Sequence, residues 1–233
     1  MIEIKTLASG SQGNCYHITD GRTALLIEAG ISFKEIRRQL DFQTSNIAGC
    51  LVSHEHKDHC KAVPDVLRAG INVYMSEGTA SEINAAGHRI KHVKSKQSFR
   101  LGTWTVLPFD VQHDVSEPLG FLLANQAGDK LLFASDTYYI KYKFKGLTHL
   151  LLECNYSLDI LNENIEAGRI HKAMKHRLLR SHFSLENVKE FLKANDLSKV
   201  QEIHLLHLSD SNSDEERFKR EIQELTGKLV YVS

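Results

Sequence analysis

The stretch LVSHEHKDHC, residues 51–60, places histidines, a glutamate and an aspartate directly after an apolar run. In an extended backbone alternate side chains point the same way, so His54 and His56 are predicted to face one direction. Asp58 and His59 follow where the chain is predicted to turn into a helix. Donors that approach from two directions can hold two metal ions. The alternative is that this segment is a polar loop whose histidines simply lie on the surface.

Further donor side chains lie at the ends of three later apolar runs. His113 lies in LPFDVQHD, Asp136 in LLFASDT and His207 in IHLLHLSD. Each alone is more often a core or edge residue than a ligand, but strand ends are where sheet folds commonly build sites. Imidazole and carboxylate without thiolate suit Zn, Mn or Fe in a reactive site. The sequence therefore predicts a metal centre with open positions for water.

Composition excludes several classes of protein. The 233 residues are 42% hydrophobic, which is enough to bury one substantial core. Lysine plus arginine equal aspartate plus glutamate at 29 each, so no overall field attracts the chain to nucleic acid or an anionic membrane. A polyanion would have to meet a local basic patch. The four cysteines form no CxxC pair, which argues against a disulfide framework and favours a reducing compartment.

Targeting and linker signals are weak throughout the chain. No apolar run approaches the roughly 20 residues that span a bilayer, and no secretory leader pattern opens the sequence. A cytoplasmic protein that does not bind membranes is therefore expected. With only three prolines and no Pro-, Gly- or Ser-rich linker, one domain over residues 1–233 is predicted.

Strand patterns typical of hairpins come first, and strands then alternate with helical patterns. Strands are predicted at the runs IEIKTLA, CYHIT, TALLIEA, CLVSH, INVYM, TWTVLPFDV, GFLLANQ, KLLFASD, HLLLEC, EIHLLHLS and KLVYVS. Helices are predicted at about 32–40, 58–69, 78–86, 161–179, 184–195 and 213–226, the last capped by Ser213 or Asn212. This order indicates an α+β fold, a four-layer αββα sandwich of two mixed β-sheets with helices outside.

The motif H-x-H-x-D-H, followed by His, Asp and His at these intervals, resembles the metallo-β-lactamase fold superfamily over essentially the whole chain. The resemblance implies two divalent metal ions, Zn or Mn with Fe as a third choice. It implies one metal on His54, His56 and His113, a second on Asp58, His59 and His207, and Asp136 bridging both. Glu28 in LLIEAG occupies the position of an aspartate that, in most members of the family, orients the metal-binding side chains.

Within that superfamily the chain is most similar to the YycJ/WalJ group of bacterial metallohydrolases, which is related to RNase Z. The opening SGSQGN, from Ser9 to Asn14, matches the group's SGSxGN loop, which could form an anion nest for substrate or a plain tight turn. Glu153 in LLLECNYS and His182 in RSHFSLENV resemble a glutamate that orients a histidine in RNase Z. Such a pair suits proton donation to a leaving alkoxide.

A basic segment precedes His182. Between Gly168 and Ser184 the chain has no acidic residue. A run of charge is often only a solvated helix face. Here the cationic residues are predicted to bind substrate phosphates: Arg169, Lys172, Lys175, Arg177 and Arg180.

The resemblance implies a dinuclear-metal nuclease, plausibly a DNA exonuclease, with DNA a better candidate substrate than RNA. A metal-bridging hydroxide would be the nucleophile, and Asp58, His182 and Glu153 are the predicted catalytic residues. One alternative is a small-molecule metallohydrolase, such as a glyoxalase II-like thioesterase or a lactonase. Another is a non-catalytic metal-binding module. Metal identity and oligomeric state stay open at the level of sequence.

Overall fold

The computed structural model describes residues 2–233, which form two compact units. The first unit runs to Asp110 and includes Val115–Asp129. The second comprises Val111–Asp114 and Lys130–Ser233. The prediction of one domain over residues 1–233 stays a prediction.

The first unit contains a six-stranded mixed sheet in the order β1-β2-β3-β4-β5-β6. The strands are β1 (Glu3–Ala8), β2 (Cys15–Thr19), β3 (Ala24–Ile27), β4 (Ile47–Leu51), β5 (Val73–Met75) and β6 (Ile90–His92). Strands β1 to β3 pair antiparallel, whereas β3 to β6 pair parallel. Parallel pairing needs crossovers, and this unit's helices are α1 (Phe33–Gln39), α2 (Lys57–Cys60), α3 (Val63–Arg68) and α4 (Glu77–Glu82).

Three further strands of the first unit pair antiparallel. They are β7 (Phe99–Leu101), β8 (Trp104–Asp110) and β9 (Leu119–Ala124). Trp104 is fully buried, and its indole N–H donates to the carbonyl oxygen of Thr23 at 3.1 Å. A buried indole needs such an acceptor, so this bond ties β8 to the start of β3.

The second unit is built on parallel strands with helices between them. The strands β10 (Lys130–Ala134), β11 (His149–Glu153), β12 (Glu202–Leu206) and β13 (Leu229–Val232) pair in that order. The helices are α5 (Leu158–Glu166), α6 (Lys172–Ser181), α7 (Leu185–Ala194) and α8 (Glu215–Thr226). Leu132, Leu150, Ile203 and Val230 stand in register across the strands and are buried. Near-continuous apolar runs are typical of strands covered on both faces.

Two of the predicted helices are each divided into two shorter helices in the structure. The predicted helix 58–69 is broken before Val63, because Pro64 has no N–H with which to continue the hydrogen-bond ladder of α2. The predicted helix 161–179 is broken between α5 and α6, where Gly168 has φ +71°. The cap of α8 is also corrected: Asp214, rather than Ser213 or Asn212, accepts from the backbone N–H of Arg217.

Two strands escaped prediction. Both β6 and β7 have three residues and carry mostly polar or half-exposed side chains, so they lack an apolar run. Among residues 2–233 no helix is long and apolar enough to cross a bilayer.

Candidate functional site

The first unit's donors follow β4 and enter the short helix α2. His54 and His59 are buried, and their ring centroids lie 4.1 Å apart. His54 Nε2 lies 3.1 Å from His56 Nδ1, so these two rings adjoin as the extended spacing predicts. Asp58 and His59 lie within α2, and Asp58 Oδ2 is 3.3 Å from His59 Nε2. The motif therefore gathers imidazole and carboxylate donors within one loop.

The Nδ1 atoms of two of these imidazoles face an oxygen atom. His54 Nδ1 is 2.8 Å from Ser53 Oγ, and His59 Nδ1 is 3.6 Å from Glu28 Oε2. Partners of this kind fix ring orientation and direct Nε2 toward a metal in metalloproteins. Glu28 is fully buried and accepts from the backbone N–H of Ser53 at 3.2 Å. Burial raises the pKa of Glu28 above its usual range, against the opposing effects of His59 and Ser53.

The SGSQGN turn holds this loop from the other side. The Asn14 side chain has no exposed surface and bonds Gly10, the carbonyl oxygen of Asp58 and His59 Nε2 at 3.0 to 3.3 Å. Its Oδ1 also lies 3.1 Å from the Tyr16 hydroxyl oxygen, which is 3.0 Å from Ser9 Oγ. Asn14 therefore holds the loop of the metal motif, and its predicted contact with substrate stays a prediction.

Close backbone packing explains a glycine behind that loop. A Cβ at Gly30 would lie 1.7 Å from the Asp58 carbonyl oxygen, far inside van der Waals contact. The backbone N–H of Gly30 donates to the Asn14 carbonyl at 2.8 Å, and the N–H of Asn14 donates to Asp58 at 2.7 Å. Only a residue without a side chain allows the three segments to meet at these distances.

The second unit's donors lie at the carboxyl ends of parallel strands. Asp136 follows β10, Glu153 ends β11 and His207 follows β12. Asp136 Oδ1 is 3.0 Å from His207 Nδ1, and its Oδ2 is 3.8 Å from His113 Nε2. The two carboxylate oxygens therefore face two different histidines, which is the arrangement a bridging ligand needs.

The Nδ1 atom of His113 faces a hydrogen-bond acceptor that was not predicted from the sequence. Its Nδ1 lies 3.0 Å from the carbonyl oxygen of Ser181, the last residue of α6. The Ser181 hydroxyl in turn donates to Asp114 at 3.0 Å. A backbone acceptor leaves no side-chain signature, so no residue type in the sequence could have pointed to it.

Glu153 makes hydrogen bonds with both of its oxygens. Oε1 lies 2.5 Å from His182 Nδ1 and 3.2 Å from His207 Nδ1. Oε2 accepts from the backbone N–H groups of Thr137 at 2.9 Å and Phe183 at 3.1 Å. The predicted pairing of Glu153 with His182 is thus present in the structure, whereas its bonds to His207 and to two backbone segments were not predicted.

The segment that carries His182 runs beside the end of β11. The backbone N–H of Asn155 donates to the Phe183 carbonyl at 2.9 Å, and Leu185 donates to Tyr156 at 2.8 Å. Ser184 then caps α7 by accepting from the backbone N–H of Asn187. These bonds hold residues 182–184 in an extended conformation and direct the imidazole at Glu153.

The charged groups of this cluster shift one another's pKa values. Burial alone would raise the pKa of Glu153, but the charge and hydrogen bond of His182, with His207, hold it below its usual range. Burial would lower the pKa of His182, and Glu153 and Asp136 outweigh it and raise that pKa. The same balance raises the pKa of His207 to about 10, with Asp136 as the larger favourable influence. The carboxylates therefore create a field that favours positive charge.

Three of the site residues have a left-handed backbone that sequence could not reveal. Glu28 has φ +65°, Asp136 +48° and His207 +54°. Each follows a strand of a parallel pair, and non-glycine residues rarely adopt this region. Such conformations cost about 1–3 kcal/mol each and cluster at functional sites. Here they turn the donor side chains away from the strand direction.

The basic residues predicted to bind substrate lie on α6 and the turn before it. Arg169, Lys172, Arg177 and Arg180 are exposed, and Lys175 is half-buried. Arg169 donates to Asn164 and Lys175 donates to Asn162, both at 2.6 Å. Arg177 lies close enough to Asp114 to help lower the pKa of that carboxyl, after the Ser181 hydrogen bond and His113. Arg177 and Arg180 are thus exposed cations on the helix that ends at His182.

The donor set fits a divalent metal ion. In the second unit the potential ligand atoms of Asp136 and His207 lie within 4.8 Å of those of Glu153 and His182. Glu153 and His182 are hydrogen-bonded to each other, so Asp136 and His207 are the candidate metal donors of this group. Oxygen and imidazole donors suit Zn, Mn or Fe, and the field that raises the pKa of His207 equally favours a bound cation. In both units an imidazole has its Nδ1 facing an oxygen atom, which orients the ring for metal binding through Nε2.

These features fit a metal-binding centre, and comparison with known proteins gives the family. Residues 23–207 match the model of the beta-lactamase superfamily domain, so the chain belongs to that family. The metallo-β-lactamase fold protein YhfI from Bacillus subtilis superposes with a TM-score of 0.74 at 12% identity, covering 100% of this chain and 97% of that one. The predicted α+β sandwich of two mixed β-sheets flanked by helices is confirmed.

Among curated proteins the chain is similar to two exodeoxyribonucleases. YycJ of Bacillus anthracis is 30% identical over 176 residues, which cover 69% of this chain and 65% of that protein. WalJ of Streptococcus pneumoniae is 26% identical over 181 residues, which cover 70% and 66%. The matches span just under two thirds of these relatives' lengths. The resemblance to the YycJ/WalJ group is confirmed.

Proposed function

We propose that the protein is a dinuclear-metal phosphodiesterase that hydrolyses nucleic acid, with DNA as the substrate and exonucleolytic action. The observation that carries the proposal is the bond of 2.5 Å between Glu153 and His182, beside Asp136 and His207. An oriented imidazole next to metal-type donors suits a reaction with a poor alkoxide leaving group. The names of the YycJ and WalJ relatives support DNA as the substrate.

The metal ligands are carried over from the family residue by residue. His54, His56 and His113 would hold one ion, Asp58, His59 and His207 the other, and Asp136 would bridge them. The two oxygens of Asp136, each facing a different histidine, support that bridging role. When bound, two divalent ions would lower the pKa of water toward roughly 7 and polarise a phosphoryl oxygen.

His182 acts as the proton donor in this proposal. Glu153 fixes a proton on Nδ1, so Nε2 is the nitrogen that faces the substrate and releases its proton to the leaving oxygen. The His182 side chain is 18% exposed while that of Glu153 is fully buried, so substrate can reach the imidazole. Asp58, with 24% side-chain exposure, would position the attacking water in addition to its ligand role.

A thioester or lactone hydrolase of the same fold is the competing function. A thioester releases a thiolate, a better leaving group that gains less from an acid catalyst, so a buried Glu153 that holds His182 would serve little purpose on a thioester. The deciding experiment is an assay of the metal-loaded protein on end-labelled single-stranded and duplex DNA and RNA, with thioesters and lactones alongside. Turnover of thioesters or lactones without cleavage of any nucleic acid would contradict the proposal.

The first prediction concerns metal content. Elemental analysis should find two divalent ions per chain, and His56→Ala and Asp136→Ala should each lose metal and hydrolysis together. His92→Ala, which changes an exposed histidine of β6, is the matched control and should keep both. Full occupancy and normal turnover in both site variants would refute the ligand set.

The second prediction concerns the leaving group. His182→Ala should keep its metal but lose on the order of 10²-fold or more in DNA hydrolysis, the usual contribution of a general acid. A phosphodiester with a nitrophenyl leaving group needs no proton, so its turnover should be far less affected. His176→Ala, an exposed histidine on α6, provides the control. Equal losses on both substrates would argue against proton donation.

The third prediction concerns the basic segment. Each cation that neutralises a phosphate contributes a slope of about −0.9 to the dependence of log K on log salt for duplex DNA. Changing Arg177 and Arg180 together to Gln should therefore flatten that slope by up to about two units, measured by binding titrations without divalent ions. Lys199→Gln with Arg220→Gln, two exposed cations elsewhere in the same unit, is the control. An unchanged slope in the first variant would contradict phosphate binding by α6.

A further inference from the structure

A cavity of about 250 Å³ lies in the second unit, between the loop after Asp136 and α7. Aromatic residues line much of it. Phe183 and Phe191 form a buried part, with ring centroids 6.4 Å apart at 60°. Tyr142 and the 56% exposed Tyr139 contribute from the loop. The volume is about eight times the roughly 30 Å³ that one water occupies in the liquid, which is room for one flat ring system.

The charges at this cavity are mainly positive. Lys141 and Lys143 are exposed and line it, and the Lys141 ammonium lies 5.2 Å from the Tyr142 ring centroid. The acidic lining residue Glu190 accepts from Lys193 at 2.9 Å, which balances its charge. Aromatic side chains beside cations are how proteins hold single-stranded nucleic acid, with bases stacked on the rings and phosphates near the cations.

Two residues that directly follow proposed site residues in the sequence connect this cavity to the site. Phe183 follows His182, and its backbone N–H donates to Glu153 Oε2. Thr137 follows Asp136 and donates its backbone N–H to the same oxygen, while its hydroxyl donates to the Tyr139 carbonyl at 2.9 Å. The cavity and the proton donor are therefore held by the same carboxylate, within one compact unit.

We propose that this cavity binds one unpaired nucleobase of the substrate, adjacent to the nucleotide whose phosphodiester is cleaved. The inference rests on the proposed nuclease function and adds a binding subsite to it. A base stacked on Tyr139 and Tyr142, with the adjoining phosphate near Lys141 and Lys143, would position the strand end relative to His182. Recognition by stacking tolerates every base, since each has an aromatic face.

The test uses the metal-loaded protein and a single-stranded DNA oligonucleotide in which one abasic residue is moved through the positions next to the cleaved bond. At one position the missing base should raise KM about tenfold, within the range of one base–aromatic stack. Tyr139→Ala should raise KM by a similar factor on the intact strand. On the strand that is abasic at that position, the variant should cause little further loss, because the interaction is already absent. Tyr231→Ala, a 45% exposed tyrosine outside the cavity, should behave as the parent protein does.

A second measurement keeps the subsite testable apart from catalysis. With divalent ions removed, an oligonucleotide carrying 2-aminopurine at that position should change fluorescence on binding to the parent protein, and this change should be lost in Tyr139→Ala. Cleavage with equal KM for intact and abasic strands, and no fluorescence change, would overturn the subsite and leave the proposed function standing. No cleavage of any strand would overturn the proposed function and the subsite with it.

Discussion

The buried carboxylate of Glu153 is the group on which the arrangement of the second unit depends. Burying a charged carboxylate costs on the order of several kcal/mol unless hydrogen bonds and opposite charge are supplied. Here two backbone N–H groups and two imidazoles supply them. Because its four partners belong to three different chain segments, satisfying this one charge fixes the loop after β10, the residue after β12 and the extended segment before α7. Loss of Glu153 would leave those segments without their shared acceptor.

Parallel pairing explains why the donors converge. Strands β10, β11 and β12 run the same way, so the residues that follow them emerge at one edge of the sheet. Asp136 and His207 then take a left-handed backbone, which a regular continuation of the strand would not allow. The strain is small against the combined hydrogen bonding and packing that hold these residues. Glu28 behaves in the same way after β3 in the first unit.

Sequence was informative where chemistry depends on residue type at fixed spacing. The motif from His54 to His59, and the donors His113, Asp136 and His207 at strand ends, could be picked out because imidazoles and carboxylates rarely follow apolar runs so consistently. Glu153 and His182 could be paired only through the family resemblance, since 29 residues separate them and nothing local links them. The fold class followed from the order of strand and helix patterns together with that resemblance.

What sequence could not supply depends on backbone geometry and on burial. The acceptor behind His113 is a carbonyl of Ser181, and two of the donors to Glu153 are backbone N–H groups, so neither has a residue-type signature. The contacts of the Asn14 amide with Gly10, Asp58 and His59 were also not predicted, because they depend on how the SGSQGN turn packs against the loop of the metal motif. The aromatic cavity likewise joins residues that are distant in sequence, from Tyr139 to Asn195.

A double-mutant cycle on DNA hydrolysis tests the central claim, that Glu153 and His182 act as one proton-donating unit. Glu153→Gln keeps the size of the side chain but replaces the charged acceptor facing His182 with a neutral amide. If the two residues act together, Glu153→Gln, His182→Ala and the double variant should lose activity by nearly the same factor, with metal content and folding retained in all three. Losses that multiply in the double variant would show independent roles and contradict the account.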